Sequence, residues 1–135
     1  MKYRAHICGG IVSSACISYL VNKNSMPVQV NDINFFISAA IGALLPDIDH
    51  PKSLFGSGME VISNRITHRG ITHSLVFAVV SGFFGLIFSV PVAIGLFIGT
   101  FSHLILDMID VNGNGVCLFA PFSFQKIGAN VKKRR

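Results

Sequence analysis

The sequence predicts an all-α fold: a small bundle of about four hydrophobic, transmembrane helices with a His/Asp metal site at one end. Three observations carry that expectation. First, 51% of the 135 residues are hydrophobic and only 13% are charged, whereas a soluble domain carries about 25% charged residues. Second, the apolar residues fall into four runs, Ala5 to Val21, Ile33 to Leu45, Ile71 to Val90 and Val92 to Ile109. Each run mixes Gly, Ala and Ser with large aliphatics and Phe, the composition that lets membrane helices pack closely. Third, the chain has six acidic residues and five histidines, and most of them gather at the mouths of these runs.

The length suits a single domain, residues 1–135. The first run follows Lys2 and Arg4 and reads as a first membrane helix rather than a signal peptide, because His6 interrupts it and no Ala-x-Ala cleavage site follows. Pro27 marks the polar link to the second run, which opens with a cap at Asn31 or Asp32. The longest connection, Asp47 to Gly70, holds most of the internal charges. Ser89-Val90-Pro91 divides the last two runs and forces a tight hairpin or a kink. A span needs about 20 apolar residues. The second run is shorter than that, so the helices either complete their spans with motif residues or sit only partly in the bilayer.

The net charge of +5 does not point to nucleic acid. Four of the eleven basic residues are the terminal Lys132 to Arg135, a pattern suited to membrane topology or anionic headgroups. Positive charge before the first run, in the central loop and after the last run predicts cytoplasmic N and C termini. The expected partner is therefore the lipid bilayer. Cys8, Cys16 and Cys117 lack metal or disulfide spacing and read as reduced packing residues.

With that topology, four segments deliver His and Asp to one end. His6 begins the first helix, Asp47, Asp49 and His50 leave the second, His68 and His73 enter the third, and His103 and Asp107 finish the fourth. Imidazole and carboxylate suit zinc, manganese or iron. His103 and Asp107 are spaced i,i+4 and share a helix face. An unpaired Asp in a membrane helix costs about 2.5 to 3.5 kcal/mol near the centre, so a retained one implies a partner. Each group also has a plainer reading: Asp47 and Asp49 as solvated loop residues, His6 as an interfacial histidine, and His50, His68 and His73 as loop and cap residues. Arg69 is either an anion clamp or a positive-inside loop residue. Thr72 and Ser74 read as a cap or as partners orienting His73. Asp32 and Glu60 fall outside the cluster, and Asn112-Gly113-Asn114-Gly115 reads as a turn.

These residues resemble the YdjM-like family of membrane-bound metal-dependent hydrolases of bacteria and archaea. The matching pieces are His6 with Gly9 and Gly10, Leu45 to Ser53 (LPDIDHPKS), His68 to Ser74 (HRGITHS), Ser102 to Asp107 (SHLILD) and Pro121 to Ser123. The resemblance implies a small multi-pass inner-membrane protein with a His/Asp metal centre. The segment from Asp110 to Cys117 is longer and more glycine-rich than the family pattern leads one to expect, which sets Asp110 apart from the site.

The leading functional expectation is a hydrolase in which a divalent transition metal, zinc foremost with manganese or iron as alternatives, activates water against a phosphoester or ester of a lipid-like or small-molecule substrate. His6, Asp47, Asp49, His50, His68, His73, His103 and Asp107 are the candidate ligands. Asp47 or Asp49 is the candidate general base, and Arg69 the candidate clamp. A metal or proton transporter and a structural protein with a helix-stapling metal are the competing classes.

Overall fold

A computed structural model of the chain describes residues 3–24, 30, 32–49, 70–110 and 115–129. Among these residues there are four α-helices: α1 (Tyr3–Lys23), α2 (Ile33–Gly42), α3 (Leu75–Gly85) and α4 (Val90–Ile109). Two 3-10 turns, Leu45–Asp49 and Ile71–His73, prolong α2 and precede α3. The helices run up and down in chain order around α4, which packs on each of the other three.

The interior and exterior are inverted relative to a water-soluble bundle. Val12, Tyr19, Ile37, Val80, Phe83, Phe84, Ile87 and Phe88 are exposed. Ser14, Ser38, Ser81, Thr100 and Ser102 are buried beside glycines and alanines. Ser14, Ser38, Ser81 and Ser102 each donate to a carbonyl of their own helix three residues back, Ile11, Phe35, Ala78 and Gly99 in turn, so these hydroxyls are satisfied while facing inward. Large side chains face outward and small ones face neighbouring helices, the arrangement that membrane packing favours.

Helix lengths divide the bundle in two. α1 has 21 residues and α4 has 20, about 30 Å each, which matches a hydrocarbon core of about 30 Å. α2 and α3 have 10 and 11 residues, about half that length. The short run expected at α2 is therefore short in fact. The third run is shorter as a helix than its apolar residues suggest, because Ile71 to His73 form the 3-10 turn and the helix begins at Leu75. In both cases the extension carries polar motif residues.

Local sequence explains the ends. Asp32 caps α2, accepting from the Asn34 backbone N–H at 3.2 Å. Ser74 caps α3 by accepting from Phe77 N–H at 3.2 Å, and Ser89 caps α4 by accepting from Val92 N–H at 3.3 Å. Pro91 lies in the first turn of α4, where its missing N–H costs nothing. The α3–α4 link is thus a tight hairpin, its break at residues 86–89.

Beyond α4, Val116 and Ile127 form an antiparallel bridge, and Leu118 C=O accepts from Leu75 N–H at 2.9 Å. Ala129 N–H donates to Met108 C=O at 2.8 Å. This segment ties the end of α4 to the start of α3, the end where the histidines lie. Phe119 and Phe122 are exposed on it. Cys117 is buried, but Cys8 and Cys16 are exposed on α1, which corrects their reading as packing residues: α1 packs through Gly10, Ser14 and Ser18 instead.

Candidate metal centre

Five of the predicted site residues meet at one end of the bundle. His6 comes from the first turns of α1, Asp47 from the 3-10 turn after α2, His73 from the turn before α3, and His103 and Asp107 from the last turns of α4. His73 Nε2 lies 3.4 Å from Asp107 Oδ2 and 4.0 Å from Asp47 Oδ1. His103 Nε2 lies 3.7 Å from Asp47 Oδ1 and 3.8 Å from Asp107 Oδ2. His6 Nε2 lies 3.6 Å from Asp107 Oδ1, and its ring stacks on His103 with centroids 3.8 Å apart. The three histidines and Asp107 are buried, whereas the Asp47 side chain is 20% exposed. Asp47 therefore marks the side from which the cluster is reached.

The orientation of His103 follows from the end of α2. A helix leaves its last carbonyls without intrahelical donors. Two consecutive ones, Gly42 and Ala43, are served by α4: Thr100 donates to Gly42 C=O at 3.1 Å, and His103 Nδ1 donates to Ala43 C=O at 2.7 Å. A carbonyl only accepts, so Nδ1 carries the proton. In the neutral ring Nε2 then presents its lone pair toward the oxygens of Asp47 and Asp107. Lone pair against carboxylate is unfavourable unless a proton or a metal cation stands between them. A backbone carbonyl orienting one ring nitrogen while the other faces a metal is the usual support of a histidine ligand. For His73 the equivalent neighbour is Thr72, whose Oγ1 is 3.2 Å from Nδ1.

The donor set fits a transition metal. The ligand atoms of His73, His103 and Asp107 lie within 4.8 Å of one another, as do those of His6, Asp47 and His103. Donors bound tetrahedrally at about 2.1 Å stand about 3.4 Å apart, so the observed spacings need little contraction. Two imidazoles and a carboxylate, with a further imidazole and carboxylate beside them, are a borderline donor set that suits zinc, iron or manganese.

Other expectations have a different outcome. His50, His68 and Arg69 lie outside the described residues, as does Glu60, and so does the side chain of Asp49, whose backbone ends the first 3-10 turn. Asp110 takes the C-cap of α4 and belongs to neither ligand group. Asp32 is an exposed cap. Gly115 has a φ of 73°, in keeping with a turn there.

Sequence reasoning missed the pads that bring the ligands together. Gly10 of α1 and Gly99 of α4 both lie against Ala39 and Ala43 of α2. A Cβ on Gly10 would come within 2.8 Å of Ala39 O, and one on Gly99 would overlap the same oxygen. Each glycine is four residues from a histidine, Gly10 from His6 and Gly99 from His103. The signal was present in the small residues of Ser38-Ala39-Ala40-Ile41-Gly42-Ala43.

The chain is 35% identical to the uncharacterized protein YvsG of Bacillus subtilis over 120 residues, covering 84% of the chain and 70% of YvsG. It is 36% identical to the inner membrane protein YdjM of Escherichia coli over 116 residues, covering 76% of the chain and 59% of that protein, with the same values for YdjM of Shigella flexneri. The match thus spans less than two thirds of either YdjM relative. No solved structure matches the chain. The family model described as YdjM inner membrane protein matches residues 1–134, and the chain belongs to that family of membrane proteins.

Proposed function

We propose that the protein is a metal-dependent hydrolase of the inner membrane, with the cluster of His6, Asp47, His73, His103 and Asp107 as its metal centre. The observation that carries this reading is the convergence of three buried histidines and a buried aspartate, from three elements, within a bundle whose other buried residues, among those described, carry no ionisable oxygen or nitrogen. His73, His103 and Asp107 hold the ion, zinc by preference, and His6 and Asp47 complete or flank the set. When bound, the ion lowers the pKa of a water toward neutrality and polarises the bond to be cut.

The chain's own residues supply the rest. Ala43 C=O and Thr72 Oγ1 fix the two imidazoles. Asp47, on the accessible side, is placed to take the proton of a nucleophilic water. The substrate class is a phosphoester or ester, lipid-like, presented at the cytoplasmic face, with the protein multi-pass and both termini cytoplasmic. A transport pathway fits less well, because the ligands gather at one end and the contact below them is closed by Gly10 and Gly99 against backbone.

Elemental analysis of detergent-purified full chain tests the reading, with Asp107→Asn and His73→Ala beside wild type and phosphomonoester, phosphodiester and carboxylic ester probes on the same samples. Wild type is expected to carry close to one equivalent of a transition metal and to turn over one probe class. Both variants are expected to keep wild-type helicity and lose metal and turnover together. Metal-free wild type after chelator-free purification and reconstitution would sink the proposal.

A further inference from the structure

α2 and α3 each pack closely on α4 and only slightly, if at all among the described residues, on one another. Between them lies a groove of about 670 Å³, floored by Val92 and Leu96 of α4 and walled by Ile37 and Ile41 on one side and Phe84 and Phe88 on the other. At one end stand Asp32, Asn34 and Ser89. At the other the groove reaches Leu45, the first residue of the 3-10 turn that carries Asp47. There the two 3-10 turns meet, and His73 Nε2 faces Asp47 Oδ1 at 4.0 Å. The groove therefore runs from the far end of the bundle toward the turn that carries Asp47, ending at Leu45.

We infer that this groove holds one hydrocarbon chain of a membrane lipid, with the lipid's polar head directed to the His/Asp cluster. This deepens the proposed hydrolysis by naming its substrate class, and it rests on that reading for the bond that is cut and for the cation that sets the direction of the lipid. Three features select the occupant. The walls Ile37, Ile41, Phe84 and Phe88 are exposed and continuous with the apolar exterior, so the bilayer's own chains are the solvent of the groove. The volume is that of a small-molecule pocket, and a helix about 10 to 12 Å across does not fit in it. The stretch from Asn34 to Leu45 follows about 16 Å of helix, the reach of an acyl chain rather than of a compact ligand.

Charge sets the direction. The common membrane-lipid head carries an anionic phosphate. At the far end it would meet the Asp32 carboxylate, held in place by Asn34 N–H and side-chain amide at 3.2 and 2.9 Å. At the near end it would meet a cluster built to hold a cation. The head therefore lies near Asp47 and the chain end near Phe88.

Photolabelling of the full chain tests this in vesicles of phosphatidylethanolamine and phosphatidylglycerol. Two phosphatidylglycerol probes are used, one with a diazirine near the glycerol and one with it at the chain end. The first is expected to label Leu45 and Ile41, and the second Phe84 and Phe88. Both should exceed labelling of Val12 and Tyr19 on the outer face of α1, which report bulk lipid. Val92→Trp, filling the floor, should lower groove labelling at least about tenfold, one decade of occupancy, with the α1 signal and metal content unchanged. Ile37→Trp replaces it if Val92→Trp does not fold. Groove labelling no higher than that of α1 overturns the inference, and a reversed probe order overturns the direction. Strong groove labelling in a protein that binds no metal supports the groove while the hydrolase reading falls. Turnover of a soluble ester with an unlabelled groove does the opposite.

Discussion

The histidine end of the bundle and the helix contact one turn below it are built from opposite residues. At the end, imidazoles and carboxylates face one another at 3.4 to 4.0 Å. One turn below, Gly10 and Gly99 close from two sides on Ala39 and Ala43, so tightly that neither position has room for a Cβ. The two regions share a single residue, Ala43, whose methyl group forms part of the pad and whose carbonyl accepts from His103. The difference teaches how a small membrane bundle can aim ligands with few hydrogen bonds. Side chains of no size bring backbones together, and close backbones fix where the next turn's large side chains meet.

The sharpest way to break the comparison is to separate the helices without touching a ligand. Gly99→Leu is expected to be the most damaging single change in the chain. Its side chain would have to displace Ala39 C=O and the Ala43 backbone N, which are backbone atoms and cannot move alone. Overpacking costs about 1 to 3 kcal/mol where side chains can yield, and more where they cannot, so about 3 kcal/mol or more is expected here. In a detergent unfolding titration the variant should lose most of its stability and release metal in the same transition. If it keeps wild-type stability, the pad is not what holds α2 to α4.

How much of this was legible in the sequence differs between the two regions. The clustered residues were legible because ionisable groups at the ends of oily runs are costly and rare, so His6, Asp47, His73, His103 and Asp107 stood out by chemistry. Their convergence followed from alternating helix direction, which the charge pattern gave. The pad was not legible, because Gly and Ala are common in every membrane helix and only three-dimensional contact shows which of them meet a neighbouring backbone. The length of α3 was misjudged for a related reason. Apolar character continues from Ile71 to Val90, but the backbone leaves the helix at both ends to let Ser74 and Ser89 cap, and hydropathy does not register a cap. The groove between α2 and α3 was hidden too, since it arises from two helices that pack on α4 far more than on one another.

A milder change tests the ligand end alone. Thr72 is buried, with Oγ1 3.2 Å from His73 Nδ1, and Thr72→Val removes that hydroxyl at nearly constant volume. Loss of a group that orients a metal-bound histidine costs about 10- to 100-fold in affinity. Competition with a chelator should show zinc affinity falling within that range, with unfolding of the metal-free protein little changed. Thr72→Ser should restore most of the affinity. An unaltered affinity in Thr72→Val would mean that His73 is oriented by packing alone.

The smallest expected effect falls on the one polar link that reaches from the pad into the core. Thr100 Oγ1 donates to Gly42 C=O at 3.1 Å and stands 3.1 Å from Ser81 Oγ, which in turn donates to Ala78 C=O at 2.8 Å. It therefore serves one of the two carbonyls that α2 presents to α4, while His103 serves the other. Thr100→Val leaves the Gly42 carbonyl buried without this donor, a loss of about 1 to 3 kcal/mol, and the lower part of that range is expected because the next carbonyl along keeps its bond to His103. Stability in detergent should fall by about 1 kcal/mol, and zinc affinity should hold within about threefold, well inside one decade. That split separates the roles of two neighbouring carbonyls. If affinity falls as far as stability, then the end of α2 acts as one unit, and the imidazole of His103 is held by the whole helix terminus rather than by Ala43.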